Sequence, residues 1–261
     1  PFEACIVAVG GVNETFGVPG ADRHALAFIG VDACAEIGRR LSVLARRRKP
    51  VSVVIVGGGF EGIEALGEIL RRYGDRQFLR ISLVEAGARL MPSSSPTLDR
   101  TVRRHCARRD VRFLTRTRVT RVTPARVHLD TGEVLPSDLT IWTAGASPSP
   151  LLRASGLADE PRQWAPVTQA LRSRRFDNVF VIGDAAALPR PLAKQAFYAL
   201  QMGTCAADNV VRALAGRRLR NFKPSPKPML VTFGALDTFL AAGRSVVASP
   251  SLAVGKEAVY Q

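Results

Sequence analysis

Six consecutive residues, Gly57-Gly58-Gly59-Phe60-Glu61-Gly62, constrain this chain more than any other stretch. They fit Gly-x-Gly-x-x-Gly, a pattern too common to mean much alone. Its setting gives it weight. The run follows Val51-Ser52-Val53-Val54-Ile55-Val56, a β-branched stretch typical of a parallel strand covered on both faces. It leads into a helical periodicity from Gly62 to about Tyr73, ended by Gly74-Asp75. Strand, glycine turn and helix in that order form a dinucleotide cradle. Gly57 allows the tight turn, Gly59 lets backbone approach a pyrophosphate, and Gly62 lets helix and strand pack closely. Unpaired amides at the helix start, around Phe60 and Glu61, then face the phosphates. The plainer alternative is a glycine-rich turn in a ligand-free domain of the same shape.

The next strand, Leu79 to Glu85, ends in an acid about twenty residues beyond the last glycine, the spacing at which a carboxylate meets the adenosine ribose. It would accept from both ribose hydroxyls and repel a 2′-phosphate, so NADH is expected over NADPH. Arg89, close by, opposes that preference slightly. Glu64 falls in the first turn of the helix, where an acid serves the helix dipole or lies near the nicotinamide. Both readings stay open. A second strand-then-turn, Val179-Phe180-Val181-Ile182-Gly183-Asp184, places an acid where it can meet a ligand hydroxyl.

Around these motifs the chain alternates strand and helix. Ala4 to Gly11 reads as a buried strand ending in a glycine turn, followed by a loop containing Pro19 and Gly20. Val31 to about Arg47 is helical until Pro50 stops it. Thr97–Arg109 is a helix, Val111–Leu114 a strand, and Val119–Val122 with Arg126–Leu129 an antiparallel ribbon. Leu139–Trp142 closes the unit before Thr143-Ala144-Gly145. Lys194 to Ala213 is a long helix, Pro224, Pro226 and Pro228 mark a boundary, and Leu230 to Gln261 suggests two strands and an incomplete segment. The expected fold is α/β, with a doubly wound, Rossmann-like dinucleotide-binding domain at 49–146 set between the segments 1–48 and 147–221. Residues 222–261 form an incomplete C-terminal domain.

Composition excludes more than it assigns. The 261 residues are 46% hydrophobic and 23% charged, ordinary globular values. No apolar run reaches the length of a membrane span, and the first residues lack the order of a signal peptide. The formal charge of +15 is mostly arginine, and we read it as solvated faces, Arg46-Arg47-Arg48-Lys49 being a linker. No aromatics interleave with the basic residues, so nucleic acid is not an expected partner. Cys5, Cys34, Cys106 and Cys205 show neither a CxxC pair nor metal-ligand spacing, and free thiols in a reducing cytoplasm are expected.

Taken together, these stretches resemble the two-dinucleotide-domain flavoproteins known as pyridine nucleotide-disulfide oxidoreductases, and within them type II NADH dehydrogenases, which are NADH:quinone oxidoreductases. The matching residues are Ile6-Val7-Ala8-Val9-Gly10, Gly57-Gly58-Gly59-Phe60-Glu61-Gly62-Ile63-Glu64, Thr140-Ile141-Trp142-Thr143-Ala144-Gly145 and Val179 to Asp184, and the likeness runs from about Phe2 to Val211. The resemblance implies FAD and NADH as cofactors, with an NAD-binding domain at 49–146 inserted in a partial FAD-binding domain at 1–48 and 147–221. Ala8, Val9, Gly10, Gly183 and Asp184 would serve FAD, with Asp184 on the ribityl chain. Ala144 and Gly145 would join the NADH site, with Glu64 near the nicotinamide. A helix beginning at Lys194-Gln195-Ala196 would present its positive end to the flavin, so Lys194, Gln195 and Glu64 are the candidate catalytic residues. Hydride would pass from NADH to flavin and electrons on to a quinone.

The stretch Ala193-Lys194-Gln195 departs from the Ala-Gln pair usual in type II enzymes, and its lysine looks more like sulfide:quinone reductases. That alternative stays open, as do a soluble reductase of a small acidic redox protein and a nucleotide sensor without catalysis. Pro1-Phe2 in place of Met suggests a fragment, expected to lack the family's first FAD-binding turn and a membrane-binding tail after Gln261. Such a fragment alone would bind NADH weakly and FAD poorly, with negligible turnover. The parent would be cytoplasmic, with attachment to the inner face of the cell membrane and homodimer formation left open.

Overall fold

A computed structural model describes residues 2–47, 49–74, 79–92, 94–225, 229–234, 237–242 and 245–249. The chain divides into two compact units, Asn13–Gly145 with Lys227–Gln261, and Pro1–Val12 with Ala146–Pro226. Segment 1–48 is thereby split, since residues 13–47 pack with the larger unit.

The larger unit is built on a five-stranded, all-parallel sheet in the order Ala25–Ala27, Leu139–Trp142, Val51–Val56, Leu79–Glu85, Val111–Thr115. Side chains alternate across it, as period two requires. Val53, Ile55, Ile81, Leu83, Leu139 and Ile141 enter one core with Ile37 and Leu41 of the helix Val31–Leu44, Ile63 and Leu66 of Phe60–Tyr73, and Leu98 and Val102 of Pro96–Cys106. Val54, Val56, Val84 and Trp142 face the other way and meet Val119, Val122, Val127, Leu129 and Leu135. Each such fully buried side chain contributes about 1.5–3 kcal/mol. The second face is therefore covered mainly by an antiparallel ribbon, Val119–Thr123, Arg126–Leu129 and Val134–Pro136, joined by Ala21 of the one-turn helix Ala21–His24. This corrects the doubly wound expectation. The segment between the fourth and fifth strands in sequence alternates apolar and polar residues, and so folds as strands.

Several boundaries also move. Ala25–Ala27, placed in a loop by its sequence, is an edge strand paired to Leu139–Trp142. The helix Phe60–Tyr73 starts two residues before Gly62, and Ser95 caps Pro96–Cys106 by accepting from the Thr97 amide. Met229–Phe233, Asp237–Ala242 and Ser245–Ala248 make a three-stranded meander, and Val231, Phe233 and Phe239 join the helix-side core. Asp75, Pro226, Pro228 and the segment after residue 249 lie outside the described residues.

In the smaller unit Cys5–Val7 pairs in parallel with Val179–Val181. The strand expected from Ala4 to Gly11 is only three residues long, with Ile6 39% exposed, so it is not buried as expected. The helix Ala196–Leu214 is fixed by Asn209, fully buried. Its Nδ2 donates to the carbonyls of Ala170 and Arg220, and its Oδ1 accepts from the Arg220 amide. Among the described residues no helix is long and apolar enough to cross a membrane, and no His, Cys, Asp and Glu cluster could hold a metal.

Candidate functional site

Parallel pairing aligns the carboxyl ends of the central strands, with Val56 opposite both Val84 and Trp142, and Glu85 opposite Thr115. A cavity of about 650 Å³ opens there, lined by Gly57, Gly59, Glu85, Ala144 and Gly145 together with Phe16, Val18, Thr117, Arg118 and Trp142. Ligand crevices of open α/β sheets lie at this edge. Gly57 makes its turn at φ +109°. A Cβ on Gly62 would collide with the Gly57 carbonyl oxygen and lie 2.9 Å from Thr143 Oγ1, so helix and turn are in backbone contact. Thr143 secures this by donating to the carbonyls of Val56 and Gly57 at 3.0 and 2.9 Å. Nothing lies within 4 Å of the Cβ position of Gly59, the helix N-cap, which leaves its backbone open to a ligand.

The carboxylate of Glu85 is oriented by main-chain donors. Gly58 N–H donates to Oε2 at 2.7 Å and Gly87 N–H to Oε1 at 2.5 Å. A Cβ on Gly58 would sit 2.9 Å from Glu85 Cβ, so glycine there is set by the acid's approach. The loop after Glu85 is tied down by Met91 N–H to the Gly58 carbonyl and Arg116 N–H to the Gly87 carbonyl. Each carboxylate oxygen has two acceptor sites, so each oxygen can accept from one further donor. The guanidinium of Arg89 donates to the carbonyls of Met91 and Pro92 and is not on the cavity wall. The arginine on the cavity wall is Arg118, which the sequence reading did not single out.

The other candidates in this unit sit around the cavity and not on its wall. Gly58 and Gly62 are buried behind the turn, Phe60 packs against the helix-side core, and Glu61 is exposed in the first helical turn. Glu64 is half-buried, its Oε1 accepting from Thr232 Oγ1 at 3.1 Å. Phe16, Trp142 and Thr143 were missed. Trp142 and Thr143 lie inside a quoted motif, while the only signal for Phe16 is an aromatic next to Gly17.

In the smaller unit a cavity of about 240 Å³ is lined by Gly183, Asp184, Lys194 and Gln195 with Trp164, Tyr198 and Met202. Gly183 has φ +63° and begins a short 3₁₀ turn carrying Asp184. The long helix starts at Ala196, so Lys194 precedes it and Gln195 is its N-cap. Gln195 provides no side-chain cap, and no acid lies in the first turn, which leaves a positive helix end at the cavity. Lys194 Nζ lies 3.4 Å from the centre of the Trp164 ring and donates to the Asp184 carbonyl. Desolvation pulls its ammonium below the ordinary lysine range, against the opposing charge of Asp184. Ala8, Val9, Gly10 and Ala196 are not on this wall, and Ala8 and Val9 are exposed. The four cysteines are unpaired, and burial pushes the Cys106 thiol up to about 12, far from a thiolate nucleophile at neutral pH.

Fold, glycine turn and acid-ended strand together make a framework of the dinucleotide-binding type. The pyridine nucleotide-disulphide oxidoreductase family profile matches residues 1–203, and the chain belongs to that family. It is 28% identical over 260 residues to a type II NADH:quinone oxidoreductase of Staphylococcus aureus (strain NCTC 8325 / PS 47), covering 90% of this chain. The chain spans 64% of that relative's length. Among solved structures, NDH2 from Plasmodium falciparum in complex with NADH matches 99% of this chain and 73% of its own at TM-score 0.85 and 15% identity. The sulfide:quinone oxidoreductase of Aquifex aeolicus matches 98% of this chain and 67% of its own at TM-score 0.81 and 16% identity. Both structures share the fold.

Proposed function

We propose that this chain belongs to an FAD-dependent oxidoreductase that takes hydride from NADH and passes electrons to a quinone. The observation that carries the reading is the open cavity with Gly57 and Gly59 on its floor and the amide-held Glu85 carboxylate on its wall. Main-chain amides of the Gly57–Gly62 turn would hold the pyrophosphate. Glu85 would accept from the adenosine ribose and, by charge repulsion, reject a 2′-phosphate. Glu64 would stand toward the nicotinamide end. In this reading 49–146 serves NADH and 147–221 with the first dozen residues serves FAD, while Val231, Phe233 and Phe239 complete the core of the NADH-binding unit.

The donor set of the smaller cavity fits part of a flavin, namely one acid for a ribityl hydroxyl, a cation, and the amides of an uncapped helix start. Bound FAD would supply the two-electron chemistry. Asp184 would accept from the ribityl chain, while Lys194 and the helix end would favour negative charge close to them. Quinone as acceptor follows the relative's name. Attachment to the cytoplasmic face of the cell membrane belongs to the same proposal, since a lipid-dissolved quinone must be reached there.

The test is stopped-flow absorbance of the FAD-loaded oxidoreductase to which the chain belongs. NADH should bleach the flavin, and a short-chain quinone should restore it. Bleaching by sulfide and not by NADH would overturn the reading in favour of a sulfide:quinone oxidoreductase, to which Lys194 is the residue that points.

A further inference from the structure

Phe16 satisfies none of the rules that place a phenylalanine. It is 63% exposed, so its ring is not buried, and its backbone is left-handed at φ +53°, a conformation bulky residues avoid. The surrounding hydrogen bonds nevertheless hold it there. Phe16 N–H donates to Glu14 Oε1 at 2.6 Å, and the buried Trp142 donates through Nε1 to the carbonyls of Glu14 and Ala144, both at 2.9 Å. The ring lies over Gly145, where a Cβ would collide with it, and Gly145 has φ +81°. A strained aromatic that stays mostly exposed on the wall of a cavity points to binding, because its contact with Gly145 gives folding little.

The sheet order says which part of the ligand Phe16 would meet. Leu139–Trp142 and Leu79–Glu85 flank Val51–Val56 on opposite sides. Gly145 and Phe16 therefore lie across the glycine turn from Glu85. With the pyrophosphate over Gly57 and Gly59 and the adenosine ribose at Glu85, the half left for Phe16 is the nicotinamide riboside. We propose that Phe16 is a positioning residue that packs its ring against the nicotinamide half of the bound dinucleotide, an inference resting on the NADH reading of this cavity.

The test uses Phe16→Gly, which suits a left-handed backbone and removes the side chain, and Phe16→Tyr, which keeps the ring. NADH and AMP are titrated calorimetrically against each variant, and Tm is measured alongside. Phe16→Gly should weaken NADH about tenfold, the loss of one apolar contact face, with AMP binding unchanged and Tm equal or higher. Phe16→Tyr should bind NADH within about twofold of the wild type, since the ring remains. Unchanged NADH affinity in Phe16→Gly would overturn the proposal. So would an equal loss of AMP affinity with a lower Tm, which would make Phe16 merely structural. Failure of the wild-type chain to bind NADH would overturn both this inference and the reading beneath it.

Discussion

The two cavities are made of different materials. The larger is floored by main chain, with amides and glycines at the ends of aligned parallel strands and one acid held by two N–H groups. The smaller is shaped by side chains, with Lys194 laid on Trp164, Asp184 on a single 3₁₀ turn, and a helix fixed through Asn209. The difference teaches where each will fail. A main-chain site fails when an added atom cannot be accommodated, and a side-chain site fails when a hydrogen bond or charge is removed.

The largest effect expected is at Gly62. Gly62→Ala puts a Cβ into the Gly57 carbonyl, so the turn must open. We expect a stability loss of about 3 kcal/mol, as for overpacked cores, and NADH affinity down about a hundredfold. Thermal unfolding and an NADH titration read both. Next, Asn209→Leu should leave buried partners in the smaller unit unsatisfied, at a cost of about 2–4 kcal/mol, while NADH affinity stays unchanged. A parallel loss of NADH affinity would break the contrast between the two cavities.

Glu85→Gln keeps the shape but presents an amide N–H to the Gly58 or Gly87 donor. NADH affinity should fall about tenfold, and the preference over NADPH should narrow, measured by competition between the two. Lys194→Met is the mildest. Removing a charge worth about 1 kcal/mol should lower the flavin midpoint by about 20 mV, read by spectroelectrochemistry, with NADH binding unaffected. Because the Lys194 pKa is lowered, its charge is lost as pH rises while ordinary lysines are still protonated. The gap between variant and wild type should therefore close with rising pH, below the usual lysine range.

The same contrast explains what could be read from sequence. Glycine requirements at Gly57 and Gly62 are local consequences of backbone geometry, so the turn and its strands were legible, as were Leu139–Trp142 and the ribbon. Ala25–Ala27 was not, because an Ala-Leu-Ala edge strand owes its existence to a long-range partner. Nor was the ribbon's place on the second sheet face, since alternation gives strands without saying what they cover. The cation over Trp164 was invisible for a similar reason. Trp164 is thirty positions from Lys194, in irregular chain, and only folding joins them. Phe16 was passed over because its strain and exposure are properties of three dimensions.

The central claim is that the Gly57–Gly62 turn and Glu85 hold NADH. A crystal structure of the chain soaked in NADH tests it most directly. The account predicts density for the pyrophosphate over the amides at Gly57 to Gly62, with both adenosine ribose hydroxyls within hydrogen-bond reach of the Glu85 carboxylate. Ordered NADH bound elsewhere, or a crevice that stays empty at saturating NADH while the turn keeps its present form, would contradict it.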